Sequence, residues 1–250
     1  MIRPLIALQL YTVRDLAVND LSGTLRKVKE MGYDYVELSD TYDMDAPQFK
    51  RFLDDIGLKA ISAHVQRREL ENDVADTVAK YKSLGCEHIV LGSLPPELLP
   101  GGKGCAKELL QNFCEECKKA GITPAYHNQV HEFKKLPDGM LILDRLFADV
   151  PNLYTQFDTG WVTIAGQNPE MYLQKYAGRC PTIHLKDVIE TYNNYEDRPL
   201  GKGSQSMHGI IQAALAAGTR IFIVELDRTY LSSSLEAADE SRKYLKSLGY

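Results

Sequence analysis

No stretch of the 250-residue sequence is apolar for the length of a membrane span. The first eleven residues carry one arginine and a short apolar run before Gln9, which does not read as a signal peptide. Basic charge is not in excess, since 29 Lys and Arg face 34 Asp and Glu, leaving −5 with histidine neutral. A nucleic-acid partner would need a basic patch, so neither nucleic acid nor an anionic membrane is an expected partner. Cysteine is scarce, five residues with no framework spacing, and reduced thiols in a cytoplasmic protein are expected. Cys114 and Cys117 form a lone C-x-x-C inside a helical stretch, where two small half-buried residues are expected. A structural zinc there would need two more ligands, and only Cys105 is close in sequence. The chain also lacks linkers, low-complexity tracts and charge blocks, so a single domain is expected. With 44% hydrophobic residues it is too apolar to stay unfolded and long enough to bury a sizeable core.

What is there is alternation. Short apolar or β-branched runs predict strands over 6–10, 35–38, 60–64, 88–91, 122–127, 154–158, 182–185 and 221–225. Helical spacing predicts helices over 21–31, 45–56, 73–84, 103–120, 139–149, 169–177, 206–217 and 235–248. Glycines 32, 57, 85, 121 and 218 each follow a helix and precede a strand, as helix C-caps do. Asp45 with Pro47, and Asn168 with Pro169, read as helix starts. Strand starts recur about every 30 residues, the length of a βα unit, and eight units fill the chain. The predicted architecture is a single-domain (β/α)₈ TIM barrel over 1–250.

In such a barrel, chemistry sits at the C-terminal ends of the strands and in the loops that follow. The polar residues at those places are Gln9, Glu37, His64, His127 with Glu132, Asp158, His184 with Lys186, and Glu225. A carboxylate at a buried strand end is costly unless it is paired or ligates a metal. Glu132, Asp158, His184 and Glu225 occupy corresponding places in the last four units. Three carboxylates and one imidazole suit one divalent cation, Mn, Mg, Co or Zn. His64 and Glu37 either line the pocket or serve as hydrogen-bonded structural residues. Gly201-Lys202-Gly203 could cradle a phosphate, although a solvated loop is the simpler reading.

The motifs that carry these residues resemble the sugar phosphate isomerase/epimerase family of the xylose isomerase-like barrels. The stretch Tyr126-His127-Asn128-Gln129-Val130-His131-Glu132-Phe133 resembles its YHNHxxEF motif. Asp158-Thr159-Gly160-Trp161 resembles DTGH/W, and His184-Leu185-Lys186-Asp187 matches HLKD. Pro199-Leu200-Gly201-Lys202-Gly203 resembles PLGxG, and Val224-Glu225-Leu226-Asp227 matches VELD. The resemblance runs through nearly the whole chain. It implies that Glu132, Asp158, His184 and Glu225 bind the metal, and that Glu132 and Glu225 act as base and acid. His127 lies near the strand position of Glu132 and competes for its role. The resemblance also places Lys186 near the substrate oxygens. Gln129, Trp161 and Ser206 depart from the family pattern. Trp161 can stack on a sugar ring or cap the barrel core. His127, His64, Trp161, Gln9 and Glu37 are the expected substrate-binding residues.

The expected chemistry is removal of a proton next to a carbonyl in a sugar or keto-sugar, through an enediolate. Return of the proton gives isomerisation or epimerisation. Expulsion of a β-substituent makes the protein a lyase, such as a dehydratase of a keto-inositol or an eliminating enzyme on a 3-keto-glycoside. A nuclease on this scaffold would need a histidine-rich multi-zinc cluster, and a non-catalytic sugar-binding barrel would need a broken ligand set. The expected partner is a small-molecule sugar, with a homo-oligomer possible.

Overall fold

The computed structural model describes residues 3–104, 106–192, 194–229 and 232–250. Among the described residues there are ten strands: β1 (Leu5–Gln9), β2 (Tyr35–Leu38), β3 (Lys59–Val65), β4 (His88–Leu91), β5 (Thr123–His127), β6 (Tyr154–Asp158), β7 (Thr182–Leu185), β8 (Asp187–Glu190), β9 (Tyr195–Arg198) and β10 (Ile221–Val224). Eight of them close a barrel in the order β1-β10-β7-β6-β5-β4-β3-β2. The barrel pairs determined are all parallel. Such strands are covered on both faces, which is why β4, β7 and β10 are buried at every residue. The predicted barrel is therefore the observed one. An unpredicted element is the antiparallel hairpin β8–β9, which pairs Asp187 with Arg198.

Local chemistry explains the helices between strands. In the helix Ala46–Ile56, the apolar residues Phe49, Leu53 and Ile56 recur at helical spacing and are buried against the barrel. Asp45 caps its first turn by accepting from the Gln48 amide, and Pro47 lies where the missing N–H costs nothing. Gly57 ends it at φ 81°, a left-handed conformation that L side chains rarely adopt. Several predicted helix starts retreat by a few residues, as in Lys107–Ala120 and Ile142–Asp149. Cys114 and Cys117 are both buried on the barrel-facing side of Lys107–Ala120. Burial pushes the Cys114 thiol up to about 12, so it is a packing residue rather than a redox group. Cys105 lies outside the described residues.

Ala7, Ile61, Ile221 and Ile223 form a small apolar cluster within the barrel, while the larger core lies between strands and helices. Among the described residues, no helix is long and apolar enough to cross a membrane.

Candidate active site

The strand register brings polar residues together. Gln9 pairs with Glu37, His127 with Gln156, and Asp158 with His184 across neighbouring strands. Glu225 follows β10 directly. The result is a deep polar floor beneath a cavity of about 1250 Å³, lined by His64, His127, Trp161, Glu225 and Asp227 among others.

Four groups converge. His127, Asp158, His184 and Glu225 offer ligand atoms that all lie within 4.8 Å of one another, and all four residues are buried. Asp158, His184 and Glu225 belong to the expected metal set, and the fourth member of the group is His127 rather than Glu132. Glu132 does not join them, because its carboxylate is buried elsewhere. Glu132 accepts from the Tyr126 hydroxyl at 2.5 Å and from the Gln129 amide at 2.9 Å. His127, expected as a substrate contact, stands in the group from the end of β5.

The geometry of His127 fits a metal ligand. Its Nδ1 lies 3.0 Å from the Gly92 carbonyl, which accepts from an imidazole protonated there. That tautomer leaves a lone pair on Nε2, and this buried atom has no hydrogen-bond partner. It stands 3.4 Å from Asp158 Oδ2, which is also buried without a hydrogen-bond donor. Asp158 Oδ1 is occupied, accepting from the Trp161 amide at 2.9 Å. His127 Nε2 is unpartnered and Asp158 Oδ2 is balanced only by the Lys186 ammonium 2.8 Å away, so a buried lone pair facing a carboxylate oxygen suits a cation between them.

His184 completes the arrangement. Its Nδ1 lies 2.7 Å from Glu225 Oε2 and 3.9 Å from Asp158 Oδ2. Its Nε2 lies 2.5 Å from Glu37 Oε2. Burial would lower this imidazole, but Glu225 and Glu37 outweigh it and hold its pKa up at about 10. The ring thus donates from both nitrogens, and holding an ion through Nδ1 would require that nitrogen to give up its proton. A metal-bound histidine typically has its outer nitrogen held by a carboxylate in the same way.

Glu37, expected in contact with substrate, lies beneath the pocket and is fully buried. It accepts from Gln9 Nε2 at 2.7 Å, Ser62 Oγ at 2.6 Å and Gln156 Nε2 at 2.8 Å. Burial would raise its carboxyl, but His64 and His184, with the hydrogen bonds from His184 and Ser62, hold it down at about 2. Gln9 touches the cavity, yet both ends of its amide are engaged, one on Glu37 and one by the Tyr11 amide. His64 lines the cavity with Nε2 2.6 Å from Gln156 Oε1. Burial drops its pKa to about 4, so it is neutral. Trp161 is half-buried on the cavity wall, its ring centroid 5.2 Å from Lys186 Nζ.

Lys186 is 1% exposed, with Nζ 2.8 Å from Asp158 Oδ2, 3.0 Å from Glu225 Oε2 and 2.7 Å from Asp227 Oδ2. Burial would lower its pKa, but these carboxylates hold it well above the ordinary lysine value. In return, Lys186 and His184 overcome burial and hold Glu225 well below the carboxylate range. Sequence reasoning did not single out Asp227, Asp197 or Gln156 as site residues. Asp227 was visible in the VELD motif, and Gln156 was a polar residue inside an otherwise buried strand. The Gly201 and Gly203 amides do not await a phosphate, since both donate to Asp187 Oδ2.

The model of the xylose isomerase-like TIM barrel family matches residues 25–248. The chain belongs to that family. An inosose dehydratase of Geobacillus kaustophilus (strain HTA426) is 25% identical over 190 residues, 66% of this chain and 61% of that protein. The chain thus spans less than two thirds of this relative. A sugar phosphate isomerase/epimerase from Parabacteroides distasonis ATCC 8503 superposes with a TM-score of 0.84 at 21% identity, over 98% of this chain and 94% of that one. The IOLI protein with a binding zinc atom gives 0.72 at 17% identity, over 97% of each chain.

Proposed function

We propose that this protein is a divalent-metal-dependent isomerase or epimerase of a sugar or keto-sugar, taking a proton from the carbon next to a carbonyl. The observation that carries this reading is the convergence of His127, Asp158, His184 and Glu225 at the cavity floor. His127 Nε2, Asp158 Oδ2, His184 Nδ1 and a Glu225 oxygen would hold the ion, Mn, Mg, Co or Zn. When bound, such an ion supplies Lewis acidity toward a carbonyl and a neighbouring hydroxyl. Glu225 reaches the cavity and is the base that takes the proton from carbon. Lys186 stands beside it with an ammonium to steady the developing negative charge on oxygen. Trp161 presents an aromatic wall to the carbon face of a ring.

A lyase reading is favoured by a separate observation. Epimerisation through opposite faces uses a second carboxylate; Glu132 is buried off the cavity lining in contact with Tyr126, and Asp227 on the cavity wall is paired with Lys186. One base on one face suits dehydration or elimination of a keto-inositol or 3-keto-glycoside. The similarity to inosose dehydratases points the same way.

The test is an NMR screen of ketoses, keto-inositols and 3-keto-glycosides in D2O, with Mn and Co supplied. Deuterium entering carbon with all oxygens retained identifies an isomerase or epimerase. Loss of water or of an aglycone identifies the lyase. Glu225→Gln should lower turnover by about 10²–10⁴-fold, and near-wild-type turnover in that variant would remove the assigned base.

A further inference from the structure

We propose that the Lys186 ammonium holds two of the ligand carboxylates of this site, and that a divalent ion enters only by driving it off Asp158 and Glu225 toward Asp227. The inference rests on the metal reading above and concerns how that metal is admitted.

The contacts of the ammonium are unequal. Only the approach to Asp227 Oδ2, at 2.7 Å, has the direction of a hydrogen bond. The approaches to Asp158 Oδ2 at 2.8 Å and Glu225 Oε2 at 3.0 Å are close in distance, yet Asp158 Oδ2 receives no hydrogen bond. Lys186 therefore neutralises these two carboxylates by proximity. The same two residues belong to the four-membered ligand group. An ion bonded to their oxygens at roughly 2.0–2.2 Å meets a buried ammonium that already occupies them. In so dry a place two like charges repel strongly.

The lysine has one way to yield. Its backbone is pinned, with the amide donating to Thr159 Oγ1 at 3.0 Å and the carbonyl accepting from it at 2.9 Å. Its stem is wedged over Gly160, where an added Cβ would come within 2.8 Å of Cγ and Cδ. The head alone can pivot. Asp227 offers the exit, because its side chain is 31% exposed at the cavity wall. The Asp227 backbone is itself fixed, its amide donating to Asp197 Oδ2 at 2.6 Å and its carbonyl accepting from Arg14 Nη2 at 2.7 Å. Trp161 flanks the same space. Without an ion, the lysine keeps the carboxylates compensated and the fold intact. With an ion, the ammonium is delivered to the cavity wall, where the oxygens of a substrate arrive.

The experiment compares wild type, Lys186→Met and Lys186→Gln at one pH. Co²⁺ binding is read by absorption, Mn²⁺ binding by calorimetry, and melting is followed with and without Co²⁺. Lys186→Met should bind Co²⁺ at least tenfold more tightly than wild type and gain a larger melting shift from it. Binding equal to or weaker than wild type overturns the proposal while leaving the metal site standing. Absence of binding in all three proteins removes both. If Lys186→Met does not fold without metal, Lys186→Gln decides by the same comparison. Asp227→Asn should weaken Co²⁺ binding more in the wild-type background than in Lys186→Met, and equal losses would remove Asp227 as the exit.

Discussion

Glu37 holds His184 from below, its Oε2 lying 2.5 Å from the imidazole Nε2. The carboxylate gathers four donors, from Gln9, Ser62, Gln156 and His184. It thereby sets which nitrogen of His184 faces the site and fixes the ring plane. Glu37→Gln places an amide donor among groups that all donate. Metal affinity, measured by Co²⁺ titration, should fall by about 10–100-fold, and the variant should lose about 2–3 kcal/mol in denaturant unfolding. Unchanged Co²⁺ affinity would show that His184 needs no support from Glu37.

His127 stands in the convergent group where Glu132 was expected, and two substitutions separate the two residues. His127→Ala removes a preset lone pair that faces Asp158 across 3.4 Å, so Co²⁺ binding should be lost or fall at least a hundredfold. Glu132→Ala strands the Tyr126 hydroxyl and the Gln129 amide, at a cost of about 1–3 kcal/mol in stability, with Co²⁺ affinity within about threefold of wild type. The reverse pattern would restore Glu132 to the metal. Both outcomes are read from the same pair of assays, a titration and a melt.

The barrel was legible because each βα unit carries its own signals. Asp45, Pro47 and Gly57 delimit one helix through local capping, whatever the rest of the chain does. Asp158, His184 and Glu225 were legible for a related reason, since a polar side chain that ends an apolar strand is costly to bury without a charged partner or a ligand. Glu132 misled because it lies five residues past His127, beyond the strand and within a short turn, His131–Phe133. Position along the chain does not tell where such a turn aims its carboxylate, and here the Tyr126 hydroxyl captures it. The β8–β9 hairpin was missed for want of an apolar alternation, as its strands are short and Tyr195–Arg198 is half-buried at each residue. With it went Asp197, whose place beside Asp227 exists only once the hairpin folds over the barrel mouth.

Gly160 gives room to the stem of Lys186. A methyl group there would press on Cγ and Cδ at 2.8 Å, within a packed wall. Gly160→Ala should therefore cost about 1–3 kcal/mol in stability, although alanine favours a helix over glycine. In a Lys186→Ala background the stem is gone and the same substitution should cost little or nothing. An equal loss in both backgrounds, measured by urea unfolding, would place the strain elsewhere.

Asp197 makes the stability of the fold depend on pH. Burial, helped by Asp227 and opposed by Lys186 and the Arg228 amide, raises its carboxyl to about 6. The native state thus binds this proton more tightly than the unfolded chain, whose aspartates titrate near 3.9. Stability contributed by the group is fully present below about pH 4 and is lost as pH rises through 6. The shift corresponds to about 3 kcal/mol at full burial, which screening at the cavity mouth reduces to about 1 kcal/mol. Asp197→Asn keeps an oxygen to accept from the Asp227 and Arg228 amides, now 2.6 and 3.0 Å away, and removes the charge. Its melting temperature should exceed that of wild type at pH 7.5, with the gain shrinking toward pH 5. A gain that is the same at both pH values would mean that the carboxylate is not the titrating group, and a loss at pH 7.5 would mean that its ionised form supports the hairpin.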